Sequence, residues 1–232
     1  MPILLIHGFA SNAVVNWLNT GWIKTLTDAG MQVIAFDNRG HGNSEKLYSS
    51  ASYTPQLMAQ DALNLLDHLK IGRASVMGYS MGARVAAYTA LLAPQRMRGL
   101  IFGGLAYNIV AGLQGANEIA AALLAENVSD VAIGQARAFR LFADATKSDR
   151  RALAACIRAS RVAIAAEEMT RISCPVLVVT GALDDLAGSV SELTSLIARS
   201  KGVVLANRNH MNAVGDLGYK SAVLEFLASI PE

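Results

Sequence analysis

Short apolar runs alternate with longer amphipathic ones along most of the chain, and the two kinds imply different elements. Runs at 3–6, 32–37, 74–78, 97–103, 175–180 and 202–206 are rich in Val, Ile and Leu and show little apolar–polar alternation. Strands buried on both faces read this way, so these six predict a mostly parallel sheet. Stretches with helical periodicity at 17–29, 55–69, 81–92, 189–198 and 215–228 separate them and predict the covering helices. The alternation predicts an α/β, doubly wound domain.

One interval breaks the rhythm. From 106 to 173 no strand-like run occurs, only alanine-rich helical sequence at 118–126, 131–143 and 150–166. It predicts a helical cap inserted between two sheet strands, with the core made of 1–105 and 174–232. There are no repeats, no low-complexity linker and no second independent domain.

Composition narrows the function classes. At 232 residues the chain supports one large domain, and 53% hydrophobic against 16% charged residues is a globular balance. A net charge of +2 with no long basic run argues against a nucleic-acid partner. Cys156 and Cys174 are too few for a disulfide framework and lack metal-ligand spacing, so buried thiols are expected and no metal or cofactor is implied. The opening Met1-Pro2-Ile3-Leu4-Leu5-Ile6 has no basic segment and is too short for a membrane span or signal peptide. A cytoplasmic protein without a membrane partner, monomeric or homodimeric, is the expectation.

The chemistry centres on Gly78-Tyr79-Ser80-Met81-Gly82, which directly follows a predicted strand and opens a predicted helix. A Gly-x-Ser-x-Gly turn there forces the serine into a tight bend, with glycines where a Cβ would strike backbone. The hydroxyl then stands beside a helix N-terminus, which favours developing negative charge. By composition alone the pattern arises in roughly one chain in ten, so its strand–turn–helix setting carries the weight.

A nucleophilic serine needs a base, and the base needs an orienting acid. Of four histidines, His7 and His41 adjoin glycine turns and read as structural, and His68 lies on an exposed helix end. His210 stands in a loop after the last strand, where loops at strand C-terminal ends converge on a site. The acid should lie on another such loop ahead of it, which leaves Asp184 and Asp185 after the strand at 175–180.

Four stretches together resemble the α/β-hydrolase superfamily, in its branch with a helical cap. They are His7-Gly8-Phe9, Asp37-Asn38-Arg39-Gly40-His41-Gly42-Asn43-Ser44, the turn at Ser80, and the pair Gly181-x-x-Asp184 and Asn209-His210. The resemblance implies Asp184 as the acid, three residues past the glycine that ends its strand. It also implies an oxyanion hole from the backbone N–H groups of Phe9 and Met81, where losing one donor typically costs about 10²–10³ in rate. Members of that family usually begin with an antiparallel hairpin before the His-Gly strand, yet here that strand starts at Ile3. Either the hairpin is lost or the start codon is placed downstream. Met211 stands where an aromatic would follow the histidine, which weakens an analogy with carbon–carbon bond hydrolases. Serine as the nucleophile argues against relatives that use aspartate.

The resulting expectation is a serine hydrolase acting on a carboxylic ester, lactone or related small acyl compound. A second reading is a lyase resembling the menaquinone-pathway synthase of this fold, whose similar turn is followed by an arginine, here Arg84. Tyr79 and Arg84 are the candidate substrate contacts, although Arg84 also reads as a structural residue in the sheet–helix seam. A third reading is a ligand receptor that keeps the fold, which has no need for all three groups. In the 106–173 interval Arg137, Arg140, Arg150, Arg151, Arg158 and Arg161 read mainly as solvated helix faces; one or more facing the pocket would attract an anionic substrate.

Overall fold

Residues 1–231 are described by a computed structural model. Strands β1 (Pro2–Ile6), β2 (Gln32–Phe36), β3 (Ala74–Tyr79), β4 (Met97–Gly103), β5 (Val176–Gly181) and β6 (Ser200–Leu205) form one sheet in the order β2-β1-β3-β4-β5-β6. Every pairing in it is parallel. The six strands fall on the six predicted runs, with ends shifted by up to two residues. The chain winds outward from β1 to β2, then returns past β1 to β3 and proceeds the other way. The strand order thus reverses between β1 and β3, and ligands in such sheets bind at the C-terminal ends beside the reversal.

Helices α1 (Trp22–Asp28), α2 (Pro55–His68) and α3 (Met81–Leu92) connect the first four strands. Between β4 and β5 lie α4 (Asn108–Ala111), α5 (Ala116–Leu124), α6 (Gln135–Ala145), α7 (Arg150–Ser160) and α8 (Ala166–Met169), with no strand. Helices α9 (Val190–Leu196) and α10 (Leu217–Ser229) complete the chain. Successive strand residues point to opposite faces, which splits the core in two. Ile3, Leu5, Met77, Ile101 and Leu177 join Trp22 and Leu26 of α1 and Val223 and Leu227 of α10. Leu4, Ile6, Val76, Phe102 and Val178 join residues of α2, α3 and α9 on the other side. All ten of these strand side chains are at most 1% exposed, and each burial of that kind contributes roughly 1.5–3 kcal/mol.

Three helical expectations change. The single helix expected at 17–29 is instead a π-helical turn at Val14–Leu18 followed by α1, because Gly21 between them takes φ +77°. The helix expected from 131 begins at Gln135, after Gly134 at φ +149°. The helix expected over 150–166 ends at Ser160 and resumes as α8 at Ala166. In the gap the carbonyl of Val162 accepts a hydrogen bond from Arg84, so it is drawn toward α3. Among the described residues no helix is long and apolar enough to cross a membrane.

Candidate functional site

Ser80 occupies the bend between β3 and α3 with φ 55° and ψ −116°. That region is sparsely populated for an L-residue and costs about 1–3 kcal/mol, so the surroundings must impose it. They do so by close approach. A Cβ on Gly78 would lie 2.1 Å from the Gly82 carbonyl oxygen, and one on Gly82 would lie 2.0 Å from that of Ile6. The start of α3 therefore presses against the end of β1. The Ser80 N–H is tied to the Gly103 carbonyl at 2.7 Å.

Two further loops converge on the hydroxyl. Past the end of β6, His210 sets its Nε2 3.0 Å from Ser80 Oγ and its Nδ1 2.9 Å from Asp184 Oδ2. With Nδ1–H donating to the carboxylate, Nε2 is left to accept from the serine hydroxyl. The Asp184 side chain is fully buried, and its other oxygen accepts from the Leu186 N–H at 3.0 Å. Asp185 is exposed at the cavity rim. Gly181 makes the meeting possible, because a Cβ there would sit 2.1 Å from the Arg208 carbonyl oxygen. The Tyr79 hydroxyl donates to the His210 carbonyl at 2.6 Å, and the two rings lie 5.5 Å apart. Ser80, His210, Asp184 and Tyr79 are thus brought together.

Phe9 borders the same cavity as Ser80 and Met81 follows it in the chain, and neither backbone N–H donates a hydrogen bond to any described residue. The loop carrying Phe9 is fastened from two sides. His7 Nδ1–H donates to the Gly8 carbonyl at 2.8 Å, while its Nε2 accepts from the Asn38 N–H at 2.9 Å. This arrangement needs a neutral imidazole, and burial lowers the His7 pKa to about 4. On the other side Asn16 Oδ1 accepts from the Gly8 N–H at 3.0 Å. Asn16 was not singled out from sequence, and it falls just before the helical stretch expected from 17.

Above these groups lies a cavity of about 560 Å³, bordered by Phe9, Val15, Phe139, Phe142, Leu186 and Met211 among others. Phe139 and Phe142 come from α6, so the interval between β4 and β5 forms one wall. Among the described residues no arginine or lysine borders this cavity. Arg84 does not reach it. Its guanidinium is buried and donates to the carbonyls of Asn108, Ile109 and Val162 at 2.6–3.0 Å, and burial lowers its pKa to about 10. With Arg161 it borders a small recess of about 20 Å³ that shares Phe9, Ser80, Phe139 and Leu186 with the larger cavity. Arg140 pairs with Asp144, and Arg151 stacks over Tyr48. Among the described residues no group of three or more His, Cys, Asp or Glu side chains is placed to hold a metal ion.

Residues 1–145 match the family model of the alpha/beta hydrolase fold. Over 99 residues, 43% of this chain and 25% of the relative, the sequence is 38% identical to the dihydrolipoyllysine-residue acetyltransferase component of an acetoin cleaving system from Pseudomonas putida. Over 115 residues, 48% of this chain and 40% of the relative, it is 31% identical to 2-hydroxymuconate semialdehyde hydrolase from Pseudomonas sp. strain CF600. The matched stretch therefore spans well under half of either relative. A solved hydrolase from Pseudomonas aeruginosa PA01 superposes over 98% of this chain and 90% of its own, with TM-score 0.81 and 29% identity. The chain belongs to the α/β-hydrolase fold family.

Proposed function

We propose that the protein is a serine hydrolase of carboxylic esters, lactones or related acyl compounds. The hydrogen-bonded chain from Ser80 Oγ through His210 to the buried Asp184 carries this reading. In the proposed reaction Ser80 Oγ attacks the acyl carbon while His210 Nε2 takes its proton, and Asp184 holds the imidazole and stabilises the cation that forms. The N–H groups of Phe9 and Met81 receive the negative charge on the acyl oxygen. His210 then returns the proton to the leaving alcohol, and water activated by the same histidine releases the acid from the acyl-enzyme. Apart from the attacking water, these steps use only groups of the chain itself.

The helices of 106–173 act as a cap in this reading, and their Phe139 and Phe142 give the acyl or alcohol group an apolar wall. With no arginine or lysine on the larger cavity and Asp185 at its rim, uncharged apolar substrates are favoured. The lyase reading is weaker, since the N–H groups of Arg84 that would grip a carboxylate are occupied by three backbone carbonyls.

A fluorophosphonate probe combined with a panel of neutral aryl esters tests the proposal. Wild-type protein should be labelled at Ser80 and hydrolyse the esters, and Ser80→Ala should lose both while melting near the wild-type temperature. Turnover close to wild type in Ser80→Ala would overturn the assignment.

A further inference from the structure

The Ser80 cavity uses the C-terminal ends of the strands. At their opposite ends lies a second concavity of about 340 Å³, bordered by Arg73, Arg98, Arg199, Ser173, Cys174 and Pro231 among others. The parallel register explains the gathering of charge. Arg73 immediately precedes β3, Arg98 is the second residue of β4, and Arg199 immediately precedes β6. Ala74 pairs with Met97 and Val176 with Ser200, so these starts line up along one edge of the sheet at about 4.8 Å per strand, with β5 between those of Arg98 and Arg199.

No aspartate or glutamate among the described residues borders this concavity. None of the three guanidiniums lies within ion-pair distance of a described carboxylate, whereas Arg39, Arg96, Arg140, Arg150 and Arg208 each have one. Among the described residues Arg73 donates a single hydrogen bond, to the Met97 carbonyl at 3.3 Å. The Arg98 Nε–H is buried and has no acceptor among the described residues. Three like charges around one hollow repel one another and concentrate anions there.

We propose that this concavity binds a phosphate group borne by a small molecule, gripped by Arg73, Arg98 and Arg199. A phosphate monoester carries close to two negative charges and three terminal oxygens, which suits three planar guanidinium forks better than a single carboxylate does. The site is separate from Ser80. The six residues of β3 divide them, roughly 17 Å of extended chain, so a ligand here acts on the protein from a distance and not as substrate.

Cys174 supplies a built-in reporter. It borders the concavity and is half-buried, whereas the second thiol, Cys156, is fully buried. Inorganic phosphate is titrated into the full chain against sodium chloride at matched ionic strength, following the melting temperature and the rate of Cys174 modification by a maleimide. At about ten times its Kd, phosphate should raise the melting temperature by roughly 3–6 °C and slow the modification severalfold. Arg98→Gln/Arg199→Gln should abolish both effects while Ser80 still reacts with the fluorophosphonate. Should the double variant fold poorly, Arg199→Gln alone should weaken the response, since the exposed Arg199 side chain makes no hydrogen bond to any described residue. Equal responses to phosphate and chloride would overturn the site. So would a phosphate response that persists unchanged in the variants, which is the general salting effect of phosphate on burial.

Discussion

Asp184 and His210 meet at 2.9 Å across 26 residues of sequence, and the carboxylate in that contact is fully buried while Asp185 beside it is exposed. Adjacent carboxylates on one loop are thereby given different environments. Asp184→Asn should lower turnover by about 10⁴, the scale on which neutralising an acid in this position leaves the imidazole in the wrong tautomer. Asp185→Asn, at the rim, should change kcat by less than about threefold, as surface substitutions away from buried networks do. Steady-state kinetics on one neutral aryl ester checks both. The reverse order would move the acid by one residue.

The bend at Ser80 depends on space that only glycine leaves. Gly82→Ala places a methyl 2.0 Å from the Ile6 carbonyl oxygen and 2.8 Å from that of His7, all rigid backbone. It should destabilise the fold by at least about 1–3 kcal/mol and displace Ser80 from His210, because the start of α3 must back away from β1. Gly72→Ala meets nothing within 4 Å and has no left-handed φ, so it should be neutral or stabilise by up to about 1 kcal/mol. Urea unfolding with activity measured in parallel distinguishes the two.

Most of the sheet was legible because a strand covered on both faces leaves an apolar run that little else in the chain imitates. That Ser80 and His210 would meet was legible from the glycine-flanked bend and from the lone histidine past β6, whereas the loop past β5 left Asp184 and Asp185 open and the family resemblance chose between them. The ends of the helices between β4 and β5 were not, although the stretches expected to be helical hold α5, α6 and α7. Their ends are set by Gly134 and by the pull of Arg84 on Val162, and neither leaves a periodic trace. Asn16 was missed for a related reason. Its partner, the Gly8 N–H, is eight residues away and is brought close only by the π-helical turn.

His7 and His41 set an acid limit on the fold. Burial lowers their pKa values to about 4 and about 3, and their rings stack edge-on at 5.2 Å, so both are neutral in the native state. Below the unfolded value near 6.5, the unfolded chain binds protons that the native chain refuses. Stability is therefore complete above about pH 6.5 and declines as pH falls toward 4 and 3, by about 2 kcal/mol for each histidine at pH 5. Urea midpoints at pH 7.5 and pH 5 should show this loss. Removing one titrating group in His41→Asn should shrink the difference between the two pH values, whereas His68→Gln, exposed at the end of α2, should leave it unchanged. An undiminished pH dependence in His41→Asn would mean that another group sets the acid limit.

Arg84 joins the helix that follows Ser80 to both ends of the interval between β4 and β5, through the Asn108 and Ile109 carbonyls on one side and that of Val162 on the other. Arg84→Met keeps much of the side-chain volume but leaves three carbonyls without their donor. Each charge-assisted hydrogen bond of this kind contributes about 1.5–3 kcal/mol, and the losses are not additive, so roughly 3–5 kcal/mol of destabilisation is expected overall. Because the guanidinium does not border the larger cavity, kcat/KM for a neutral ester and for its carboxylate-bearing analogue should fall in the same proportion. Raising ionic strength from 0.1 to 1 M, which contracts the Debye length from about 10 Å to about 3 Å, should leave that ratio unchanged. Melting curves and matched ester kinetics measured on the same preparation read out both effects. A selective loss on the anionic ester, with the melting temperature intact, would instead make Arg84 a substrate contact and revive the lyase reading.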